Sequence, residues 1–337
     1  MKIRKLVICI LGVGFCLVCN RHDPNTGKLS CQPKTIILSH SQPADVSNEF
    51  HLAAWIFQKY IHDHSKNLTV KIFAANSLEP EHDVYKAIQR GNDLTCVISR
   101  TTALTSFCNK IDVLHLPFLW KNFEHVHQAL DGEVGKILEK ELARSGFKVL
   151  AWMDSWGFQN FLTVKRDIEN FDKMTALKWQ TSQSPKYTES MKILGIQTTS
   201  MAYSEIYPSL QSGKLDGIEQ NAVSVLANKF AGAFQSMLLT RHLYIPVVFV
   251  FCQSEWEKFS EEEKSLITEA AHLVSDLECA LAPWRDQAAQ NFLTEKNIAI
   301  HPIDVSGISK EIAAVQDKLA SESNALDLLQ IIRSYKN

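Results

Sequence analysis

Apolar positions along this chain follow two rhythms that take turns. Residues 35–38 (TIIL) form a short β-rich run. From about residue 48, Leu52, Ile56, Phe57, Tyr60 and Ile61 recur every three or four positions, the apolar stripe of a helix. A strand at 68–73 follows, then a helix at 82–90 closed by Gly91, then a third strand at 94–98. Strand–helix–strand order predicts parallel strands joined by crossover helices, an α/β layer fold. Helical spacing resumes over 123–144 and ends at Gly146. Strands are expected at 148–153 and 160–164, on either side of Trp156-Gly157, and helices at 185–194 and 204–211 stop at Gly195 and Gly213. The run 245–252 (IPVVFVFC) is too continuously apolar for a strand with one wet face, and predicts the centre of a sheet covered on both sides. Ser260-Glu261-Glu262-Glu263 reads as a capping box with added negative charge at a helix N-terminus. Behind it, the spacing of Leu266, Ile267, Ala270, Val274 and Leu277 continues past Pro283 to about residue 296, so a long helix with a proline kink is expected.

Composition narrows the class. The chain has 337 residues, 45% hydrophobic and 21% charged, which is globular and long enough for two domains. A net charge of −2 lacks the basic footprint of a nucleic-acid binder. The longest apolar run, residues 6–18, is too short to span a bilayer and follows Lys2, Arg4 and Lys5, the build of a secretory signal. A signal at 1–19 and a polar tether at 20–33 are expected; removal of the signal takes the net charge from −2 to −5. Cys16 and Cys19 end the apolar run as a lipid-accepting cysteine would, and Cys19 is the candidate for lipidation. Cys31, Cys96, Cys108, Cys252 and Cys279 are odd in number and irregularly spaced, a poor disulfide framework, and none of them forms a CxxC pair. Cys96 and Cys252 sit in apolar runs and read as small buried hydrophobes.

Catalytic signatures are absent: no phosphate-binding glycine loop, no GxSxG, no HExxH. His125 and His127, with His115 upstream, lie two apart on a predicted helix and face different sides, so they read as a solvated surface, as do His62 and His64. No metal or cofactor is expected.

Several short stretches are informative together through their order and spacing. They are 76–79 (NSLE) with 87–93 (AIQRGND), 116–119 (LPFL), 131–133 (DGE), 157–160 (GFQN), 165–168 (KRDI), 201–207 (MAYSEIY), 210–217 (LQSGKLDG), Arg241-His242, and 254–256 (SEW). Over about four-fifths of the chain this order resembles the substrate-binding proteins of tripartite ATP-independent periplasmic (TRAP) transporters. The resemblance implies a two-lobed α/β periplasmic solute-binding fold with two strand crossovers and a long kinked helix spanning both lobes. Lobe I would comprise residues 34–156 plus 246–285, and lobe II residues 157–245 plus 286–330. It further implies a periplasmic, monomeric, non-enzymatic receptor that captures a small solute by hinge closure and passes it to TRAP permease membrane subunits.

Two departures bear on the solute. Where the family carries arginines that clamp a ligand carboxylate, this chain has Gln159 and Gln180. Gln220 falls where the family presents a polar side chain. Gln159, Gln180 and Gln220, with Trp156, Phe158, Trp179 and Tyr203 as aromatic neighbours, imply an uncharged, amide-rich pocket; His40 and Phe118 are first-lobe candidates. Arg100, Arg241 and His242 are the cations that could substitute. A neutral, zwitterionic or aromatic solute is therefore expected over simple dicarboxylates, because a glutamine offers a neutral amide where a guanidinium offers two charged hydrogen bonds. Two rivals stand beside this reading: a clamp-fold protein that has become a protein-interaction or sensor module, and an enzyme using Glu219 with His242.

Overall fold

The computed structural model describes residues 33–335 apart from 80, 91–93, 155, 182–184, 202 and 228–230; of residues 81, 82, 185, 186, 203, 204 and 227 it describes the backbone alone. The expected signal, nearly all of the tether, Cys19, Cys31 and the Gly91 cap lie outside the described residues.

The alternating rhythms become eleven described strands in two sheets: β1 (Lys34–His40), β2 (Leu68–Phe73), β3 (Cys96–Arg100), β4 (Phe147–Met153), β5 (Gln159–Thr163), β6 (Lys178–Gln180), β7 (Gln197–Thr199), β8 (Gly217–Gln220), β9 (Ser236–Leu243), β10 (Val247–Cys252) and β11 (Ala299–Pro302). The first sheet runs β2-β1-β3-β10-β4 and the second β11-β9-β5-β8-β6-β7. As strand–helix–strand order requires, β1 is parallel to both β2 and β3. The apolar run near residue 250 becomes β10, which lies between β3 and β4, antiparallel to both and buried at every position. Its side chains part with a period of two. Val247, Phe249 and Phe251 enter one apolar cluster with Phe57 and Ile267, while Val248, Val250 and Cys252 enter another with Ile88 and Leu138. The second sheet is covered in the same way, Phe161 and Leu238 on one side, Leu162 and Met237 on the other.

The chain passes between the sheets at residues 154–158 and again at 244–246. A third connection is the helix Glu261–Glu295, which packs Ile267, Ala270 and Val274 on the first sheet's core and Ala289 and Leu293 on the second's. Its N-terminus carries the expected reciprocal cap: Ser260 Oγ accepts the Glu263 N–H, and the Glu263 carboxylate accepts the Ser260 N–H.

Three expectations change. The helix foreseen at 123–144 is two helices, Phe123–Leu130 and Glu133–Arg144. The break falls at Gly132, where a Cβ would collide with the Gln128 carbonyl and the Tyr335 hydroxyl. Next, residues 286–330 do not all belong with the second sheet. The helix Leu326–Ser334 buries Leu328, Leu329 and Ile332 in a cluster of the first sheet, because its apolar stripe finds an uncovered face beside Glu133–Arg144. Finally, the histidines read as solvated are largely engaged. His125 is buried with Nε2 3.0 Å from the Ile332 carbonyl oxygen, His115 Nε2 is 2.8 Å from Thr101 Oγ1, His62 accepts the Val70 N–H, and His127 pairs with Asp154. The helix period correctly placed His125 and His127 on different sides; both sides are covered.

Candidate functional site

Strand register brings two sheet edges to the crossovers. On the first sheet the edge is His40 and Arg100, the last residues of β1 and β3, with Met153 and Val247. On the second it is Gln180 at the end of β6, beside Thr199 and Ile218, then Gln220 at the end of β8, opposite Asn160, and Gln159 opposite Leu243. Open α/β sheets bind ligands at the carboxyl ends of their parallel strands. Gln159, Gln180 and Gln220 share this edge, each half-buried. Gln180 Nε2 donates to the Thr181 carbonyl at 2.8 Å, and Gln220 Oε1 accepts from Asn221 N and Nδ2 at 3.1 and 3.3 Å. Neither arrangement uses Gln180 Oε1 or Gln220 Nε2.

Charges gather where the long helix passes the crossovers. Arg285 Nη1 lies 2.6 Å from Glu278 Oε2. Burial pushes the Glu278 carboxyl up from its ordinary range, against the pull of Arg285. Glu49 is raised further, also by burial, against the nearby charge of Arg100, and it accepts a long hydrogen bond from Gln42 Nε2 at 3.5 Å. Asp286 is raised by burial too, opposed by its bond from Gln290 Nε2 at 3.1 Å and by Arg241. The Trp156-Gly157 turn permits this close approach: Gly157 has φ +113°, and a Cβ there would meet Asp286 Oδ1 at 3.0 Å.

His40 packs its Nε2 3.1 Å from His51 Nδ1, and burial first, then the His51 charge, lowers its pKa from 6.5 to about 4. The folded state therefore refuses a proton that the unfolded chain accepts near pH 6.5. This contribution to stability is complete above pH 6.5, falls as pH drops towards 4, and totals at most about 3 kcal/mol. Urea melts of the wild type between pH 7.5 and 4.5 should lose stability more steeply than those of His40→Gln. Parallel curves would exclude a titrating His40.

The remaining expected residues scatter. Trp156 is half-buried on its turn. Phe158 and Trp179, expected as pocket walls, are core instead. Phe158 is 1% exposed, against Phe123 and Tyr244, and Trp179 is 0% exposed, against Phe161, with Nε1 donated to the Met174 carbonyl. Along β6, Trp179 and Gln180 must face opposite ways, so only one can meet a ligand on this edge. His242 is also fully buried, stacked on Phe161, with Nε2 3.6 Å from Glu219 Oε1 and Nδ1 2.7 Å from Thr240 Oγ1. Phe118 is half-buried and hangs from the second sheet through its N–H to the His242 carbonyl. Arg241 is exposed, its guanidinium 6.0 Å from the Phe158 ring centre. Tyr203 opens the helix Tyr203–Gln211; its side chain lies outside the described residues. The sequence reading missed Glu49, Glu278, Arg285 and Asp286, because acids and cations on amphipathic helices look like solvated surface until the fold buries them.

Residues 39–323 match the model of bacterial extracellular solute-binding protein family 7. The chain belongs to this family. A solute-binding protein of Verminephrobacter eiseniae is 28% identical over 264 residues, 78% of each chain. A TRAP periplasmic solute-binding protein of Ochrobactrum anthropi superposes with a TM-score of 0.82 at 22% identity, covering 90% of this chain and 97% of that one. Another from Chromohalobacter salexigens, solved with bound D-glucuronate, gives 0.77 at 24% identity, covering 88% and 99%. The TRAP solute-binding fold is thus shared along nearly the whole described chain. Family 7 proteins are extracytoplasmic, periplasmic receptors rather than enzymes; they bind small-molecule solutes and work with TRAP permeases. In this family 7 receptor no described helix is long and apolar enough to cross a membrane.

Proposed function

We propose that this receptor takes a neutral or zwitterionic polar solute, held at the edge formed by Gln159, Gln180 and Gln220, and delivers it to a TRAP permease after the two sheets close on it. The observation that carries this reading is the amide edge itself: no arginine stands on it at 159 or 180, and three glutamines share it. Each cation nearby stands next to an acid, with Arg285 on Glu278, Arg100 beside Glu49, and Arg241 beside Asp286. A solute carrying a lone carboxylate would have to compete with these acids for each cation. A solute with both charges, or with hydroxyls and amides alone, would not. With Phe158 and Trp179 in the core, the described aromatic candidates left to stack on a solute are Trp156 and Phe118, fewer than a purely aromatic ligand would call for.

Calorimetry on the purified receptor tests this. Succinate and D-glucuronate should bind weakly or not at all, while neutral sugars, polyols and amino acids supply the tight binder. Micromolar succinate or glucuronate binding would overturn the reading, as would a panel in which acids alone raise the melting temperature.

A further inference from the structure

Among the described residues, one group of three potential metal ligands comes together outside the solute edge: His127, Asp154 and Cys279, whose donor atoms all lie within 4.8 Å of one another. We propose that these three side chains form a binding site for a soft or borderline divalent cation of the Zn2+ type, placed on the first-sheet side of the first crossover. Each ligand comes from a different part of the fold. His127 projects from the helix Phe123–Leu130, Asp154 opens the first crossover directly after β4, and Cys279 lies on the long helix, four residues before Pro283. No motif spacing could reveal such a set.

The donor chemistry decides the class of ion. A thiolate, an imidazole and a carboxylate are the mixed set that suits Zn2+ or Co2+, whereas Ca2+ and Mg2+ require a shell of oxygen atoms. Three protein ligands leave the fourth tetrahedral position to water. Cys279 carries no disulfide and is partly exposed, so its sulfur is available.

Geometry supports the same assignment. His127 Nε2 and Asp154 Oδ2 now share a hydrogen bond of 2.6 Å. Two ligands on one tetrahedral zinc, with bonds of about 2.0 Å, stand about 3.3 Å apart. Replacing the shared proton by the ion therefore asks these groups to part by roughly 0.7 Å, within the reach of side-chain rotation. The other oxygen, Asp154 Oδ1, accepts the hydroxyl of the buried Tyr244, which rises from the second crossover. Such an outer hydrogen bond fixes a ligating carboxylate and tunes its basicity.

There is also room and a route. A small cavity of about 10 Å³ is lined by His127, Asp131, Asp154 and Cys279 among its walls. That is near the space of one water-sized sphere. A wider cavity of about 700 Å³ also borders His127 and Cys279 and is flanked by Asp131, His272 and Asp276, carboxylate and imidazole groups suited to drawing in a cation. An ion held at this point would tie the first-sheet half of the long helix to the end of β4, at the start of the first crossover.

The test uses the full chain, stripped of metal by chelator and dialysed. Zn2+ titration should saturate at one equivalent and raise the melting temperature, and Mg2+ and Ca2+ should leave it unchanged. Co2+ should add a thiolate-to-metal charge-transfer band and visible d–d bands of a tetrahedral site. Cys279→Ser should abolish the charge-transfer band and weaken Zn2+ binding at least tenfold. His127→Gln should weaken it comparably, with circular dichroism like that of wild type in both. A Zn2+ titration without saturable binding overturns the proposal. So does a cobalt spectrum lacking the thiolate band, or an affinity that survives both substitutions and so places the ion elsewhere. An equal response to Ca2+ would overturn the choice of a soft ion.

Discussion

Gln180→Arg should raise the affinity for a carboxylate solute such as D-glucuronate by roughly 30-fold to several thousand-fold, the equivalent of about 2–5 kcal/mol for a desolvated charge pair. Residue 180 is the last of β6, paired with Thr199 on one side and Ile218 on the other, so its backbone is held by two strands. A guanidinium there would present two parallel charged N–H groups in place of one neutral amide. The hydrogen bond it displaces, Gln180 Nε2 to the Thr181 carbonyl, is local, and an arginine N–H can replace it. Calorimetry of the wild type and the variant against D-glucuronate, with an uncharged hexose as control, separates the outcomes. A gain confined to the acid places residue 180 in the solute site. Unchanged binding of both would show that this position does not meet the ligand, and the amide-edge reading would fall with it.

Trp179→Ala should cost about 3–5 kcal/mol of stability, as large-to-small changes at buried aromatic positions do. In a chain of this size the melting temperature should fall by about 5–15 °C. Trp179 is the largest of the fully buried side chains among the described residues; its ring centre lies 4.7 Å from that of Phe161, and its indole N–H satisfies the Met174 carbonyl. Truncation leaves a cavity in the cluster that also holds Tyr187, Met191 and Leu238, and an unsatisfied carbonyl beside it. The solute affinity of the protein that remains folded should stay close to wild type. A variant that melts normally but loses its solute would return Trp179 to the pocket. The two substitutions, one residue apart on β6, thus probe opposite faces of one strand.

Part of the architecture could be read from local pattern, for local reasons. β2 spans the expected residues, β10 occupies the unbroken apolar run, and the Ser260 cap begins a 35-residue helix, because periodicity and capping act over a few neighbouring positions. β6 and β7, three residues each, carry too few positions for alternation to register. The helix break at Gly132 depends on Tyr335, about two hundred residues away in sequence, which no window over 123–144 contains.

The site divides in the same way. Motif order placed Gln159, Gln180 and Gln220 together, and the strand register sets them on one sheet edge. Local pattern could not rank their neighbours. Trp179 and Phe158 stand beside those glutamines in sequence, yet alternation along β6 sends the Trp179 ring into the core, and Phe158, on the crossover, packs on Phe123 and Tyr244. The cluster of Glu49, Arg100, Glu278 and Arg285, like the ligand set of His127, Asp154 and Cys279, joins segments far apart in the chain.

The sequence by itself determined the family, the rhythm of strands and helices, and the glutamines at positions 159 and 180. Those properties reside in residue identity and in spacings of two, three or four. The tertiary structure alone decided which of two adjacent side chains is buried, which acids sit beside which cations, and which elements meet at the crossovers. These depend on contacts between distant segments, whose free energies are settled only when the sheets pack and water is excluded.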